Sequence, residues 1–126
     1  MLAAAVMLGL IQLGLAAGAA RRQYGMTWAL GARDEPVAPL AGVAARLDRA
    51  FRNFMDTFPM FAAAVLAAEV LGRHNDFTLL GAAIYLAARI VYVPLYAFGV
   101  ILARSLVWIV ATVGIVMVLY GLFRVA

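Results

Sequence analysis

Residues 105–123 read SLVWIVATVGIVMVLYGLF, and this stretch determines the class of fold because it contains no charged side chain. Its length is close to the ~20 residues that an α-helix needs to cross a hydrocarbon core about 30 Å thick. Three comparable apolar runs precede it, at about residues 2–20, 54–71 and 77–100. Because these runs are continuous and do not alternate with polar residues, they favour membrane-spanning helices over the strands of a β-barrel.

The overall composition supports the same class. The chain has 126 residues, is 67% hydrophobic and 13% charged, and has a mean hydropathy of +1.02. A soluble domain of this length could not bury so much apolar surface. We therefore predict an all-α, integral membrane four-helix bundle that forms one domain over residues 1–126. The predicted helices cover about 2–20, 45–71, 77–100 and 104–124, with a polar loop at about 21–44.

The first apolar run has alanines and glycines near its end, as a signal peptide does. Its arginines follow the run instead of preceding it, so we expect it to be a helix of the domain and not a cleaved signal. The chain has no cysteine and only one histidine, His74. This composition excludes disulfides and thiolate ligands, and one histidine cannot form a metal site alone, so we expect no metal. The formal net charge of +4 needs no nucleic acid to explain it.

Basic residues are concentrated on one side of the predicted membrane domain. The loop between the first two helices and the turn before the fourth lie on that side and carry Arg21, Arg22, Arg33, Arg46 and Arg104. The other side carries Arg73 and Arg124. By the positive-inside rule, both chain ends lie on the non-cytoplasmic side. We expect the membrane to be the bacterial inner membrane.

The start of the second predicted helix carries a polar stripe. Its members, at spacings i, i+3, i+7 and i+10, are Arg46, Arg49, Asn53 and Asp56, and Arg52 lies beside them. A charge facing lipid there would cost about 2.5 to 3.5 kcal/mol, so the stripe should face protein or a water-filled cavity. The charges could simply pair, Arg49 with Asp56 or Asp48 with Arg52. Arginines nevertheless outnumber acids three to two on this segment, which favours an anionic ligand.

The third predicted helix carries a matching stripe of Tyr85, Arg89, Tyr92 and Tyr96. Arg89 needs a partner near the middle of the membrane, and we predict that this partner is Asp56. Tyr92 and Tyr96 could belong to an interfacial aromatic belt, although their alignment with Arg89 favours a shared polar face. At the start of the fourth helix, Ser105 is a candidate N-cap beside Arg104.

These residues together resemble the MAPEG superfamily, the membrane-associated proteins in eicosanoid and glutathione metabolism. The motifs that carry the resemblance are Arg46-xx-Arg49-Ala-xx-Asn53-xx-Asp56-xx-Pro59, Arg89-xx-Tyr92-xxx-Tyr96 and Arg104-Ser105. They follow one another in order over nearly the whole chain. The chain resembles a bacterial member of the family that is similar to microsomal glutathione transferase and prostaglandin E synthase. The resemblance implies a homotrimer that binds glutathione between neighbouring subunits, near the cytoplasmic face.

The resemblance also implies roles for individual residues. Glutathione would be held by Arg22, Arg49, Arg52, Asn53, Asp56, Tyr92, Tyr96 and Ser105. Arg104 would be the catalytic residue near the thiol, whereas Arg46 and Arg89 would be structural. The two carboxylates of glutathione suit arginine side chains, and its ammonium group suits Asp56. A nearby cation lowers the pKa of a thiol and so favours the reactive thiolate.

The predicted function is therefore a glutathione-dependent transferase or peroxidase acting on lipophilic small molecules that arrive from the membrane lipid. One alternative is a non-catalytic protein whose arginine pocket binds an anionic lipid or organises a membrane assembly. A small multidrug exporter ranks last, because export of cations calls for a buried carboxylate and the first helix has no charged side chain between Met1 and Ala20.

Overall fold

The computed structural model describes residues 1–124 and contains four long helices and one short one. The helices are α1 (Leu2–Tyr24), α2 (Met26–Leu30), α3 (Gly42–Val70), α4 (Asp76–Ala97) and α5 (Ile101–Phe123). The fold is all-helical over the described part of the chain, as predicted. The last two residues of the predicted domain, 125 and 126, lie outside the described residues.

The helix ends differ from the predicted ones by a few residues. Helix α1 continues through the two arginines of the predicted loop and ends at Tyr24, because basic side chains in a last turn favour the helix dipole. Gly25, with φ 88°, then ends it. The predicted loop also contains the five-residue helix α2, which the sequence did not indicate. Helix α5 begins at Ile101, three residues earlier than predicted.

Three helices, α1, α4 and α5, are long and apolar enough to cross a membrane. Helix α3 is not among them, because its first half carries the polar stripe. Its 29 residues nevertheless extend over about 43 Å at ~1.5 Å per residue, which exceeds the thickness of a hydrocarbon core. Three statements therefore stay predictions: that α3 is a fourth membrane-spanning helix, that the four long helices form one membrane bundle, and that the protein is a trimer.

Glycines hold α4 and α5 in close contact. A Cβ atom added to Gly81 would lie 2.6 Å from the carbonyl oxygen of Gly114, and one added to Gly114 would lie 2.7 Å from the oxygen of Gly81. Where α4 begins and α5 ends, Asn75 caps α4, and its side-chain amide donates to the carbonyl of Gly121 at 2.9 Å. The backbones of the two helices therefore pack directly against each other, as small residues allow in membrane helices.

The buried core lies between α1, α3, α4 and α5, and Phe61 stacks on Tyr85 at its centre with ring centroids 4.0 Å apart. Many large apolar side chains face outward, for example Leu10 (58% exposed), Leu79 (64%) and Val116 (57%). Such surfaces are typical of helices that face lipid and would be a liability in water. From Tyr85 in this core, the predicted polar stripes extend to the end of the fold where α3 begins and α4 ends.

Candidate functional site

A cavity of about 540 Å³ lies where the start of α3, the end of α4 and the start of α5 meet. We call it the α3–α4–α5 cavity. It is lined by Arg49, Arg52, Asn53, Asp56, Tyr92, Tyr96, Arg104, Ser105, Trp108 and Ile109. Its volume falls in the range of about 300 to 1,000 Å³ that is usual for small-molecule sites. All but one of the predicted ligand-binding residues, together with the predicted catalytic Arg104, are thus brought to one place.

The exception is Arg22. It lies exposed in the last turn of α1, and it does not line this cavity within a single chain. The sequence also did not single out Trp108 and Ile109. Trp108 follows Arg104 by four residues, so helical periodicity places both on the same face of α5 and could have indicated it.

The α3 wall of the cavity carries most of its charge. Arg49, Arg52 and Asp56 are exposed on one side of the helix, and Arg52 Nε lies 3.0 Å from Asp48 Oδ2. The side chain of Arg52 is 76% exposed, so this i,i+4 pair contributes little stability. The Asp48–Arg52 pairing considered from the sequence is therefore present. The Arg49–Asp56 pairing is not found among the ion pairs of residues 1–124.

Arg89 is 1% exposed and holds α4 to α3 through uncharged partners. Its two terminal nitrogens donate to Asn53 Oδ1 at 2.8 Å and to Thr57 Oγ1 at 2.5 Å. The predicted ion pair between Arg89 and Asp56 is wrong within this chain. Asn53 and Thr57 are one helical turn apart on the same face, whereas Asp56 is rotated by about 100° from Thr57 toward the open side. Asp56 therefore stays available to the cavity.

The hydrogen bonds of Arg89 continue into the core. Thr57 Oγ1 lies 3.2 Å from the hydroxyl oxygen of Tyr85, which is fully buried. The sequence did not single out Thr57, although its spacing of four residues from Asn53 places it on the same stripe. Because the oxygen of Asn53 is engaged by Arg89, the amide NH₂ is the group that Asn53 can offer to a ligand.

Aromatic side chains form the opposite wall. The guanidinium carbon of Arg104 lies 4.7 Å from the centroid of the Tyr96 ring, and the rings of Tyr92 and Tyr96 are 5.5 Å apart. Arg89 lies 5.2 Å from the Tyr92 ring on the buried side. Tyr92 is only 4% exposed, so it is not a belt residue that faces lipid. The stacking fixes the position of Arg104 at the cavity wall.

Two further predicted residues lie where α4 passes into α5. Arg46 Nε donates to the carbonyl of Ala97 at 2.8 Å, so it ties the start of α3 to the last turn of α4. The predicted N-cap role of Ser105 is wrong, because α5 begins at Ile101 and Val100 is its N-cap. Ser105 Oγ instead donates to the carbonyl of Ile101 at 3.2 Å. The reason is Gly99, whose φ of 75° turns the chain before the predicted start.

The charges that line the cavity are three arginines and one aspartate. An excess of guanidinium groups beside aromatic rings suits a ligand with more than one carboxylate. Over residues 1–124, the structure contains no group of three or more His, Cys, Asp or Glu side chains placed to hold a metal ion.

Comparisons with known proteins address the family directly. A search of curated proteins and a search of solved structures each found no match. A sequence model of the MAPEG family matches residues 1–124, which is nearly the whole chain. The match confirms the resemblance that the motifs on α3, α4 and α5 indicated. The chain therefore belongs to the MAPEG family.

Proposed function

We propose that this protein is a membrane-bound, glutathione-dependent transferase or peroxidase that acts on lipophilic electrophiles. The observation that carries the proposal is the α3–α4–α5 cavity, where three arginines and Asp56 line the same space as two tyrosines. Membership of a family of membrane proteins in glutathione and eicosanoid metabolism supports it.

The residues fit glutathione group by group. The guanidinium groups of Arg49 and Arg52 can each donate paired hydrogen bonds to one of its two carboxylates, and the exposed Asp56 suits its ammonium group. The amide NH₂ of Asn53 can donate to a peptide carbonyl. Arg49, Asp56 and Ser105 are exposed in a single chain. We infer that a neighbouring subunit of a homotrimer closes this side and contributes Arg22 to the same site.

Arg104 is the residue proposed to act on the thiol. A thiol with a pKa of ~8.5 is mostly protonated at neutral pH, and a guanidinium within about 4 to 6 Å favours its thiolate. Tyr96 holds Arg104 in place through their stacking contact. The thiolate attacks an electrophilic carbon in the transferase reaction and a peroxide oxygen in the peroxidase reaction. In the transferase reaction a C–S bond forms, and the leaving group departs with the electron pair of its bond to that carbon. In the peroxidase reaction the O–O bond breaks and the alkoxide takes a proton from water. The sulfur is oxidised to a sulfenic acid, which a second glutathione converts to the disulfide and water.

The first prediction tests binding. Millimolar glutathione is expected to raise the thermal unfolding temperature of the detergent-solubilised protein, and Arg49→Ala is expected to abolish this rise. A bound ligand at about 100 times its Kd stabilises a protein by about 2.7 kcal/mol, which a thermal scan resolves easily. Arg33→Gln is the matched control, because Arg33 lies outside the α3–α4–α5 cavity and the variant should keep the full response.

Absence of a thermal shift in the parent protein would overturn the proposal. Co-purifying phospholipid that glutathione cannot displace, and that is lost in Arg104→Gln but kept in Arg33→Gln, would instead support a non-catalytic pocket for an anionic lipid in the α3–α4–α5 cavity. Binding and chemistry are separated by Arg104→Gln. This variant is expected to keep most of the thermal shift but to lose the ultraviolet absorbance of bound thiolate at neutral pH.

A further inference from the structure

A second cavity, of about 680 Å³, lies on the other side of α3, between its first turns, the end of α1 and the polar loop. We call it the α1–α3 cavity. Its lining consists of Leu13, Ala16, Ala17, Ala20, Tyr24, Trp28, Arg33, Val37, Pro39, Leu40, Ala45, Asp48, Arg49, Phe51 and Arg52. The α3–α4–α5 cavity shares only Arg49 and Arg52 with it.

The polarity of this lining changes along the cavity. The part along α1 is apolar, with Leu13, Ala16, Ala17 and Ala20 on one face of the helix. The part formed by the polar loop and the start of α3, which we call the mouth, carries three arginines, Arg33, Arg49 and Arg52, and one acid, Asp48. Because Asp48 already pairs with Arg52 at 3.0 Å, it does not neutralise the other two arginines. The cavity therefore suits a molecule that has an acidic end and an apolar chain.

The polar loop is held in place over this cavity by side chains from the end of α1. Gln23 donates to the carbonyl of Pro39 at 3.0 Å and accepts from the backbone N–H of Ala41 at 3.0 Å. The hydroxyl of Tyr24 donates to the carbonyl of Ala38 at 2.6 Å. Three hydrogen bonds thus fix the returning half of the loop against α1, and the cavity below it is a defined space.

Arg33 is positioned at the mouth by its own contacts. Its guanidinium carbon lies 4.4 Å from the centroid of the Trp28 ring, and one terminal nitrogen donates to the carbonyl of Ala29 at 3.2 Å. Its backbone has φ 62°, which makes it the one non-glycine residue with positive φ in residues 1–124. Non-glycine residues in this conformation are uncommon, and such strain is concentrated at functional positions. One of its five guanidinium N–H groups is used in this bond, so Arg33 keeps four for a ligand.

We propose that the α1–α3 cavity binds an anionic phospholipid, with its phosphate at Arg33 and Arg49 and one acyl chain along α1. Planar guanidinium groups bind phosphate through paired hydrogen bonds, and basic pockets between membrane helices on the predicted cytoplasmic side favour anionic lipids. Trp28 lies in α2, directly after the membrane-length helix α1, and tryptophans near the ends of such helices are enriched at the level of the lipid headgroups. Arg49 lines both cavities, but Arg33, Trp28 and the apolar face of α1 line only this one, so the inference does not rest on the proposed function.

The two tryptophans of the chain allow a direct test, since Trp28 lines the α1–α3 cavity and Trp108 lines the α3–α4–α5 cavity. In Trp108→Phe, Trp28 is the sole tryptophan. The full-length variant is placed in bilayers that mix phosphatidylglycerol and phosphatidylcholine, with bromine on the acyl chains of one or the other. Quenching of Trp28 is expected to show a preference of about fivefold or more for phosphatidylglycerol, since each arginine contributes about 1 kcal/mol.

Two variants locate the preference. Arg33→Gln is expected to reduce it about fivefold, whereas Arg21→Gln removes an exposed charge at the same end of α1 and should leave it unchanged. Ala17→Phe keeps every arginine but fills the apolar part of the cavity, and should also reduce the preference. Both test variants should keep the thermal unfolding temperature of the Trp108→Phe protein in detergent, which shows that they fold.

Three results would overturn the lipid site. The first is equal quenching of Trp28 by both lipids. The second is an equal loss of preference in Arg33→Gln and Arg21→Gln, which would indicate that all the basic residues at this end of the protein attract anionic lipid without a specific site. The third is full preference in Ala17→Phe, which would place the lipid outside the cavity. None of these results affects the glutathione proposal, whose readout is the thermal shift.

Discussion

The two cavities that flank α3 share two arginines but are built differently. The α3–α4–α5 cavity is lined by three long helices, and Arg89 ties two of them together through Asn53 and Thr57. The α1–α3 cavity is closed by a loop that two side chains of α1 hold in place. A helical wall positions its side chains through packing, whereas a loop wall depends on a few exposed hydrogen bonds. The comparison predicts that the two sites respond to different mutations.

The largest effect is expected from the seam between α4 and α5, which supports only the first of these cavities. Gly114→Leu puts a side chain against the backbone of Gly81, where even a Cβ atom would lie 2.7 Å from its carbonyl oxygen. We expect a loss of about 3 kcal/mol or more, measured by unfolding in mixed micelles of rising denaturing-detergent content. The glutathione response should fall with it, because Arg104 is carried on α5.

Gly14→Leu is the matched control for this substitution. Gly14 lies in the middle of α1, and nothing would lie within 4 Å of a Cβ atom added to it. The control is therefore expected to leave stability within about 0.5 kcal/mol of the parent protein. A similar loss in both variants would show that leucine is disfavoured at these positions for a reason other than helix contact.

A smaller effect is expected from Arg89→Lys, which keeps the buried charge but removes the two separate nitrogen donors of the guanidinium group. A single ammonium cannot reproduce the two hydrogen bonds to Asn53 and Thr57, so we expect a loss of about 1.5 to 3 kcal/mol in the same unfolding assay. Glutathione should bind more weakly because Asn53 is no longer fixed, whereas the lipid preference reported by Trp28 should stay. Unchanged glutathione binding would show that Arg89 does not position Asn53.

The comparison also separates what the sequence could predict from what it could not. Apolar length and helical periodicity were enough to predict the long helices and the two polar stripes, whereas the family resemblance was needed to place Arg49, Asn53, Asp56 and Tyr92 around one ligand. The partner of Arg89 was not predictable in the same way. A spacing pattern shows which residues share a stripe but not which member of the stripe faces the neighbouring helix.

The α1–α3 cavity had no comparable signal in the sequence. Gln23 contacts Pro39 and Ala41, which are 16 and 18 residues away, and no periodicity links them. Arg33 was predicted only as one of several basic loop residues, and its backbone conformation at φ 62° follows from the loop as a whole. Hydrogen bonds between irregular segments depend on how the whole chain folds back on itself. Spacing along the chain therefore does not reveal them.

The smallest effect is expected from Gln23→Ala, which removes the two hydrogen bonds between α1 and the end of the polar loop. Because both lie in exposed surroundings, their loss should cost the closed loop about 1 kcal/mol. An opening equilibrium shifted by this amount makes cleavage after Arg33 by an arginine-specific protease about fivefold faster. Gln23→Glu keeps the acceptor for Ala41 but loses the donor, so its cleavage rate should be intermediate. The lipid preference should fall in the same order while the glutathione response stays constant. An unchanged cleavage rate in Gln23→Ala would show that Tyr24 and the packing around Trp28 hold the loop in place. The loop wall of the α1–α3 cavity would then depend on packing, as the helical walls of the α3–α4–α5 cavity do.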